Sequence, residues 1–99
     1  MSLKNSPSSE KPKSSKKTRL LVKFDCGFNN WITIRGEGAG LNWQTGTPLK
    51  NVSSDEWVFE TDAPFANCEF KVLINDEIYE SGPNHPLVYG TSAQHVPFF

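Results

Sequence analysis

The sequence predicts an all-β fold, an immunoglobulin-like antiparallel β-sandwich of about seven short strands, over residues 18–99. Three observations carry that prediction. After Lys17, apolar and polar residues alternate with period two; turn-forming residues break the alternation every eight to twelve positions; and nowhere do apolar residues recur at three-and-four spacing for three helical turns. An OB-type barrel is the rival architecture, but it ordinarily includes a helix, which this sequence does not offer.

Each expected element follows from the same reading. Residues 18–24 (TRLLVKF) alternate, with Leu20, Val22 and Phe24 on one face, and 25–30 (DCGFNN) form a loop. Residues 31–35 (WITIR) set Ile32 and Ile34 against Trp31, Thr33 and Arg35, and three glycines in 36–40 predict a loop. A short strand is expected at 48–52, then the Ser53-Ser54-Asp55 turn, then 56–61 (EWVFET) with Trp57 and Phe59 sharing a face. A loop containing Pro64 leads to 68–74 (CEFKVLI), whose Phe70, Val72 and Ile74 oppose Lys71 and Leu73. Asn75-Asp76 reads as a two-residue hairpin turn with 77–79 pairing back, and a last short strand falls within 87–99. Ile32, Ile34, Trp57, Phe59, Phe70 and Val72 are the expected core.

Residues 1–17 contain one large apolar residue, Leu3, among Ser, Lys, Pro, Asn and Glu, so a disordered basic tail is expected there. The tail carries five lysines and one glutamate, whereas 18–99 carry five basic and ten acidic side chains. A net charge of −5 on the domain argues against nucleic acid as a partner, because such binding begins with phosphate neutralisation. The tail is read as a solubilising spacer. No apolar run has the length of a membrane span and the first residues lack a signal-peptide core, which predicts a cytoplasmic protein with no membrane partner. Cys26 and Cys68 are then expected as reduced thiols, although a disulfide between two strands is an open alternative.

The catalytic inventory is poor. No Ser, Thr or Cys sits in a nucleophile motif, the carboxylates are scattered, and the spacing of His85 and His95 supports no metal set. The Gly36–Gly40 stretch follows a strand but precedes no helix and lacks a Lys-Ser/Thr ending, so it is a loop and not a phosphate cradle. No enzyme activity, cofactor or metal is expected. What stands out is aromatic: Trp43 in a Gly-flanked loop, and Tyr79 where a strand runs into the tight segment Tyr79-Glu80-Ser81-Gly82-Pro83-Asn84. Lys71 projects from the polar face of its strand. Flat ring faces beside a long donor and an amide suit a neutral sugar, whose C–H faces lie on aromatic rings and whose hydroxyls need donors and acceptors. Exposed aromatics serve protein partners equally well.

The order of these residues resembles the starch-binding domains of carbohydrate-binding module family 20. In that family a Gly-containing loop is followed by Leu-Gly-x-Trp and a Pro-Leu type pair; here Leu41-Asn42-Trp43 and Thr47-Pro48-Leu49 follow Gly36–Gly40. The family's Trp-led strand is matched by Trp57-Val58-Phe59-Glu60-Thr61, and its Phe-Glu-Tyr-Lys-Phe strand by Cys68-Glu69-Phe70-Lys71-Val72. Its Trp-Glu-Ser-x-Pro-Asn motif is matched by Tyr79-Glu80-Ser81-Gly82-Pro83-Asn84. The likeness runs from about Val22 to Tyr89, and the related glycogen-binding modules share the fold but usually lack the last motif.

The resemblance implies a non-catalytic module for α-1,4-glucan, whether starch, glycogen or a maltooligosaccharide. Trp43 and Tyr79 would be stacking platforms. Lys71 and Asn84 would hydrogen-bond to hydroxyls, and Glu80 would support the turn or accept from a sugar. Family members are normally joined to an amylolytic enzyme, so such an enzyme or another protein is the implied partner. Three departures stand out: Tyr79 replaces the family's Trp, the loop at Asn42 is shorter by a residue, and only Phe28 or Trp31 offers an aromatic for a second site. A protein-interaction module using the same aromatic loops is the alternative.

Overall fold

A computed structural model describes residues 16–99. Most of the expected disordered tail therefore lies outside the described residues. Its last two positions sit against the domain: the Lys16 amide donates to the Tyr89 hydroxyl at 2.8 Å, and Lys17 Nζ lies 3.6 Å from the Asp62 carboxylate.

Nine strands follow one another with no helix among the described residues: β1 (Thr18–Lys23), β2 (Ile32–Glu37), β3 (Thr47–Pro48), β4 (Lys50–Ser53), β5 (Glu56–Thr61), β6 (Glu69–Ile74), β7 (Ile78–Tyr79), β8 (His85–Pro86) and β9 (Ser92–His95). They form two sheets, ordered β4-β5-β1-β9 and β3-β2-β6-β7, with β8 also on β6. The protein is a β-sandwich. Between the sheets lie Leu20 and Val22 of β1, Ile32 and Ile34 of β2, Trp57 and Phe59 of β5, and Phe70 and Val72 of β6. Every one of the six expected core residues is buried. The Trp57 indole, buried with its donor, is satisfied by the Phe24 carbonyl at 3.1 Å.

Four features differ from the sequence reading. β1 and β9 run parallel, pairing Arg19 with Ser92 and Val22 with His95, so the first sheet is mixed and not purely antiparallel. The single strand expected at 48–52 is two strands in different sheets. Pro48 faces Thr33 of β2, whereas Lys50 pairs with Val58 of β5, and the intervening Leu49 is buried in the core as the chain changes sheets.

β2 also continues through Gly36 and Glu37, which were expected to be loop. Gly36 is in the strand because β6 comes so close there: a Cβ would sit 2.0 Å from the Glu69 carbonyl oxygen. Lastly, Asn75 and Asp76 both have φ near +56°, as in a type I′ turn, with the Glu77 amide donating to the Ile74 carbonyl. The ladder resumes with Ile74 opposite Ile78, so the connection is one residue longer than a two-residue hairpin.

The free edge of β6 is shared by two short strands. β7 pairs at Leu73–Ile74 and β8 at Glu69–Phe70, leaving a gap opposite Lys71 and Val72. Glu80 fills it. Its amide donates to the Val72 carbonyl at 2.9 Å, and its carboxylate Oε2 accepts from the Val72 amide at 2.7 Å. A side chain thus does what a strand would have done for an otherwise orphaned buried donor.

Candidate functional site

The outer face of the second sheet is built by alternation. In β2 the residues that do not face the core are Thr33, Arg35 and Glu37; in β6 they are Glu69, Lys71 and Leu73; in β7 it is Tyr79, in register with Leu73. Across the ladder Arg35 stands opposite Lys71. Trp31 precedes β2 on the same alternation, half exposed, at the end where the Asn75-Asp76 turn returns.

Arg35 organises this face. Its Nη1 donates to the Trp43 carbonyl at 3.1 Å and to the Tyr79 hydroxyl at 3.2 Å, and its guanidinium carbon lies 5.7 Å from the Tyr79 ring centroid. Its Nε donates to Asp76 Oδ1 at 3.0 Å and its Nη2 to the Asp76 carbonyl at 3.2 Å. The Asp76 carboxylate in turn accepts from the Thr33 hydroxyl at 3.1 Å and from the Gly46 amide at 3.2 Å. The Arg35 hydrogen bond holds the Asp76 carboxyl below the usual carboxylate range, aided by the Gly46 amide and Thr33 hydroxyl and opposed by partial burial. The same bond stabilises the Arg35 guanidinium in its charged form.

The loop that carries Trp43 is fixed at both ends. At its start the Asn42 side chain accepts from the amides of Gln44 (3.0 Å) and Thr45 (2.7 Å), and the Asn42 carbonyl accepts from Gly36 at 3.1 Å. At its end Gly46 presses onto Asp76 and Thr33, where an added Cβ would lie 2.1 Å from Asp76 Oδ1 and 2.7 Å from the Thr33 hydroxyl. Trp43 is half-buried. Its backbone is therefore held in a pinned loop.

Four of the five residues singled out in the sequence belong to this face. Trp43 and Tyr79 are bridged by Arg35. Lys71 Nζ donates to the Gly82 carbonyl, bracing the turn that follows β7. The Asn84 amide, at the far end of that turn, donates to Glu69 Oε1 at 3.2 Å. The fifth, Glu80, points the other way: its side chain is 1% exposed, and both carboxylate oxygens are hydrogen-bonded inside the protein. Contact with a sugar hydroxyl is closed to it, because alternation after Tyr79 turns it inward. Its carboxylate instead serves the edge of β6 at Val72 and meets His85 and His95. Phe28, by contrast, is 91% exposed and lines a cavity of about 350 Å³ beside Asn51 and Trp57, away from this face.

Sequence reasoning missed Arg35, Asp76, Gly46 and Asn42 as the frame of the site. The signal for Arg35 was present, since alternation set it on the same face as Thr33. The partner Asp76 was read only as turn residue. Missed as well was the meeting of Glu80 with His85 and His95, whose Nε2 atoms lie 3.0 and 2.9 Å from Glu80 Oε1. Cys26 and Cys68 are both free thiols, and burial pushes both to higher pKa. No helix among the described residues is long and apolar enough to cross a membrane. In comparisons with known proteins, no family model matches the chain, and no curated protein does either.

Proposed function

We propose that this domain is a non-catalytic module that holds α-1,4-glucan on the outer face of its second sheet. The observation that carries the reading is the bridging of Trp43 and Tyr79 by one guanidinium, on a face that also presents Lys71 and the 79–84 turn. Arg35 holds the Trp43 backbone and the Tyr79 hydroxyl from one guanidinium, so the loop and the strand that carry the two aromatic residues are fixed relative to each other before a flexible oligosaccharide binds. Arg35 has its charge matched by Asp76, which leaves the face close to neutral, as an uncharged ligand requires. Lys71 and Asn84 donate to protein acceptors near the surface, and each can exchange that acceptor for a sugar hydroxyl. The sequence likeness to starch-binding domains supplies the substrate class.

Titrating the domain with β-cyclodextrin and maltoheptaose, followed by Trp fluorescence and amide shifts, tests the reading. Saturable binding should appear, and Trp43→Ala should weaken it by ~30-fold or more while leaving the fold intact, as for a loop-borne binding hot spot. No response at millimolar sugar would remove the function. The same aromatic face would then be examined as a protein-docking surface, with competition at Trp43 as the readout.

A further inference from the structure

We propose that Glu80, His85 and His95 form a binding site for a single divalent transition-metal ion, Zn²⁺ or a close equivalent, that fastens the two sheets together. Topology makes the three residues converge. His85 is in register with Phe70, whose side chain points into the sandwich from the second sheet. His95 is in register with Val22, which points inward from the first. Glu80 turns inward because Tyr79 before it turns outward. Donors from both sheets therefore meet at one point, over the ring of Phe70, whose centroid lies 5.5 Å from that of His85 and 5.7 Å from that of His95.

The distances suit an ion. Both Nε2 atoms approach the same carboxylate oxygen, at 3.0 and 2.9 Å, and one donor atom from each of the three residues lies within 4.8 Å of the others. Around a tetrahedral zinc, with bonds of ~2.0–2.2 Å, neighbouring donors stand roughly 3.3 Å apart. Each His–Glu pair thus needs to open by only a few tenths of an ångström. The carboxylate is oriented for the task by the Val72 amide on its other oxygen, the kind of outer hydrogen bond that fixes metal-bound carboxylates.

Charge is compatible with an ion at this point. Among the described residues no Lys or Arg pairs with this buried carboxylate; its partners are the His85 and His95 imidazoles, and a metal ion held by all three would supply the countercharge. Two imidazoles and one carboxylate prefer a borderline ion such as Zn²⁺ over Ca²⁺ or Mg²⁺, which take oxygen ligands. The side chains of His85 and His95 are 27% and 17% exposed, enough for entry of the ion and for a water as fourth ligand. With so little open space the ion would be a fastening between strands and not a reaction centre.

The test uses the full chain stripped with a chelator and titrated with Zn²⁺, and with Co²⁺ for its visible absorption. One equivalent should bind, the cobalt form should show the intense bands of a tetrahedral nitrogen–oxygen site, and Tm should rise by roughly 10 °C at a hundredfold excess over Kd. His95→Gln and His85→Asn should each weaken binding by at least ~10-fold and cut the Tm rise at the same metal concentration to about half or less. Both histidines are partly exposed, so these variants are expected to fold, whereas Glu80→Gln also disturbs the carboxylate that satisfies the Val72 amide. Absence of a Zn²⁺-dependent Tm shift at millimolar metal would overturn the proposal. So would binding of equal strength in both His variants, which would move the metal to other donors. The maltoheptaose titration is scored separately, since this site does not depend on the glucan reading.

Discussion

Strand β6 offers one backbone to two environments. Phe70 and Val72 point into the core, while Lys71 and Leu73, one position along, belong to the outer face. On the inner side the neighbours are aliphatic and aromatic, from Leu20 to Leu87, and the interaction is apolar burial without directional demands. On the outer side a charged web runs from Asp76 through Arg35 to Trp43 and Tyr79, and beneath it Leu73 is fully covered between its register partners Thr33 and Tyr79. The lesson is that an outer sheet face need not be a bare solvated surface. Here it is a second, smaller packed layer, specified by hydrogen-bond geometry, in which Arg35 ties the Trp43 backbone to the Tyr79 hydroxyl.

The comparison breaks first at Phe70. Truncation to Ala should cost about 3–5 kcal/mol, measured by denaturant unfolding, since a buried aromatic leaves a cavity that its neighbours fill only in part. A loss below about 1 kcal/mol would mean that the inner face is less tightly packed than the outer. Next comes Gly46→Ala, which forces a methyl group against Asp76 and Thr33. Its cost should be about 1–3 kcal/mol, as for overpacking, together with a change in the Trp43 fluorescence that Phe70→Ala does not produce locally.

A third test uses pH. The Asp76 carboxyl is held below its ordinary value in the folded protein, so its contribution is fully present above the unfolded value of ~3.9 and is lost as pH falls through the lower folded value. Stability should therefore decline below about pH 4, and Asp76→Asn should flatten that acid limb. An unchanged limb in the variant would show that other carboxylates dominate it. The smallest effect is expected from Tyr79→Phe, which keeps the ring and removes the hydroxyl that accepts from Arg35. Stability should change by under about 1 kcal/mol, as for a half-exposed hydrogen bond, and oligosaccharide affinity by only a few-fold. A large loss of affinity would instead assign the hydroxyl a direct contact with the ligand.

Much of the inner face was legible in the sequence because period-two alternation reports burial directly. Residues 56–61 form β5 as expected, and Phe70, Val72, Ile32 and Ile34 fell where alternation put them. The crossing at Leu49 was not legible, since 48–52 is too short to show a period of its own and the change of sheet happens in the backbone. β8 is two residues long and ends in Pro86, which gives no periodic signal at all. For the outer face, the aromatic residues were visible, but the frame that holds them was not. Arg35 and Asp76 are 41 positions apart, and only the β2–β6 register brings them together. Glu80 was read with its motif as supporting the turn or accepting from a sugar, and its burial in the gap at the edge of β6 gave no signal in the sequence.

The parallel pairing of β1 with β9 bears on the order in which this protein is made. Arg19 finds Ser92 and Leu20 finds Ala93 only after more than 70 intervening residues have been synthesised. Until then one edge of the first apolar strand has no partner, and chains dominated by such distant pairings fold slowly, in milliseconds to seconds. Growth from the N-terminus on the ribosome therefore leaves the oldest strand waiting for the youngest, and residues 92–95 act as the closing clasp of the sandwich.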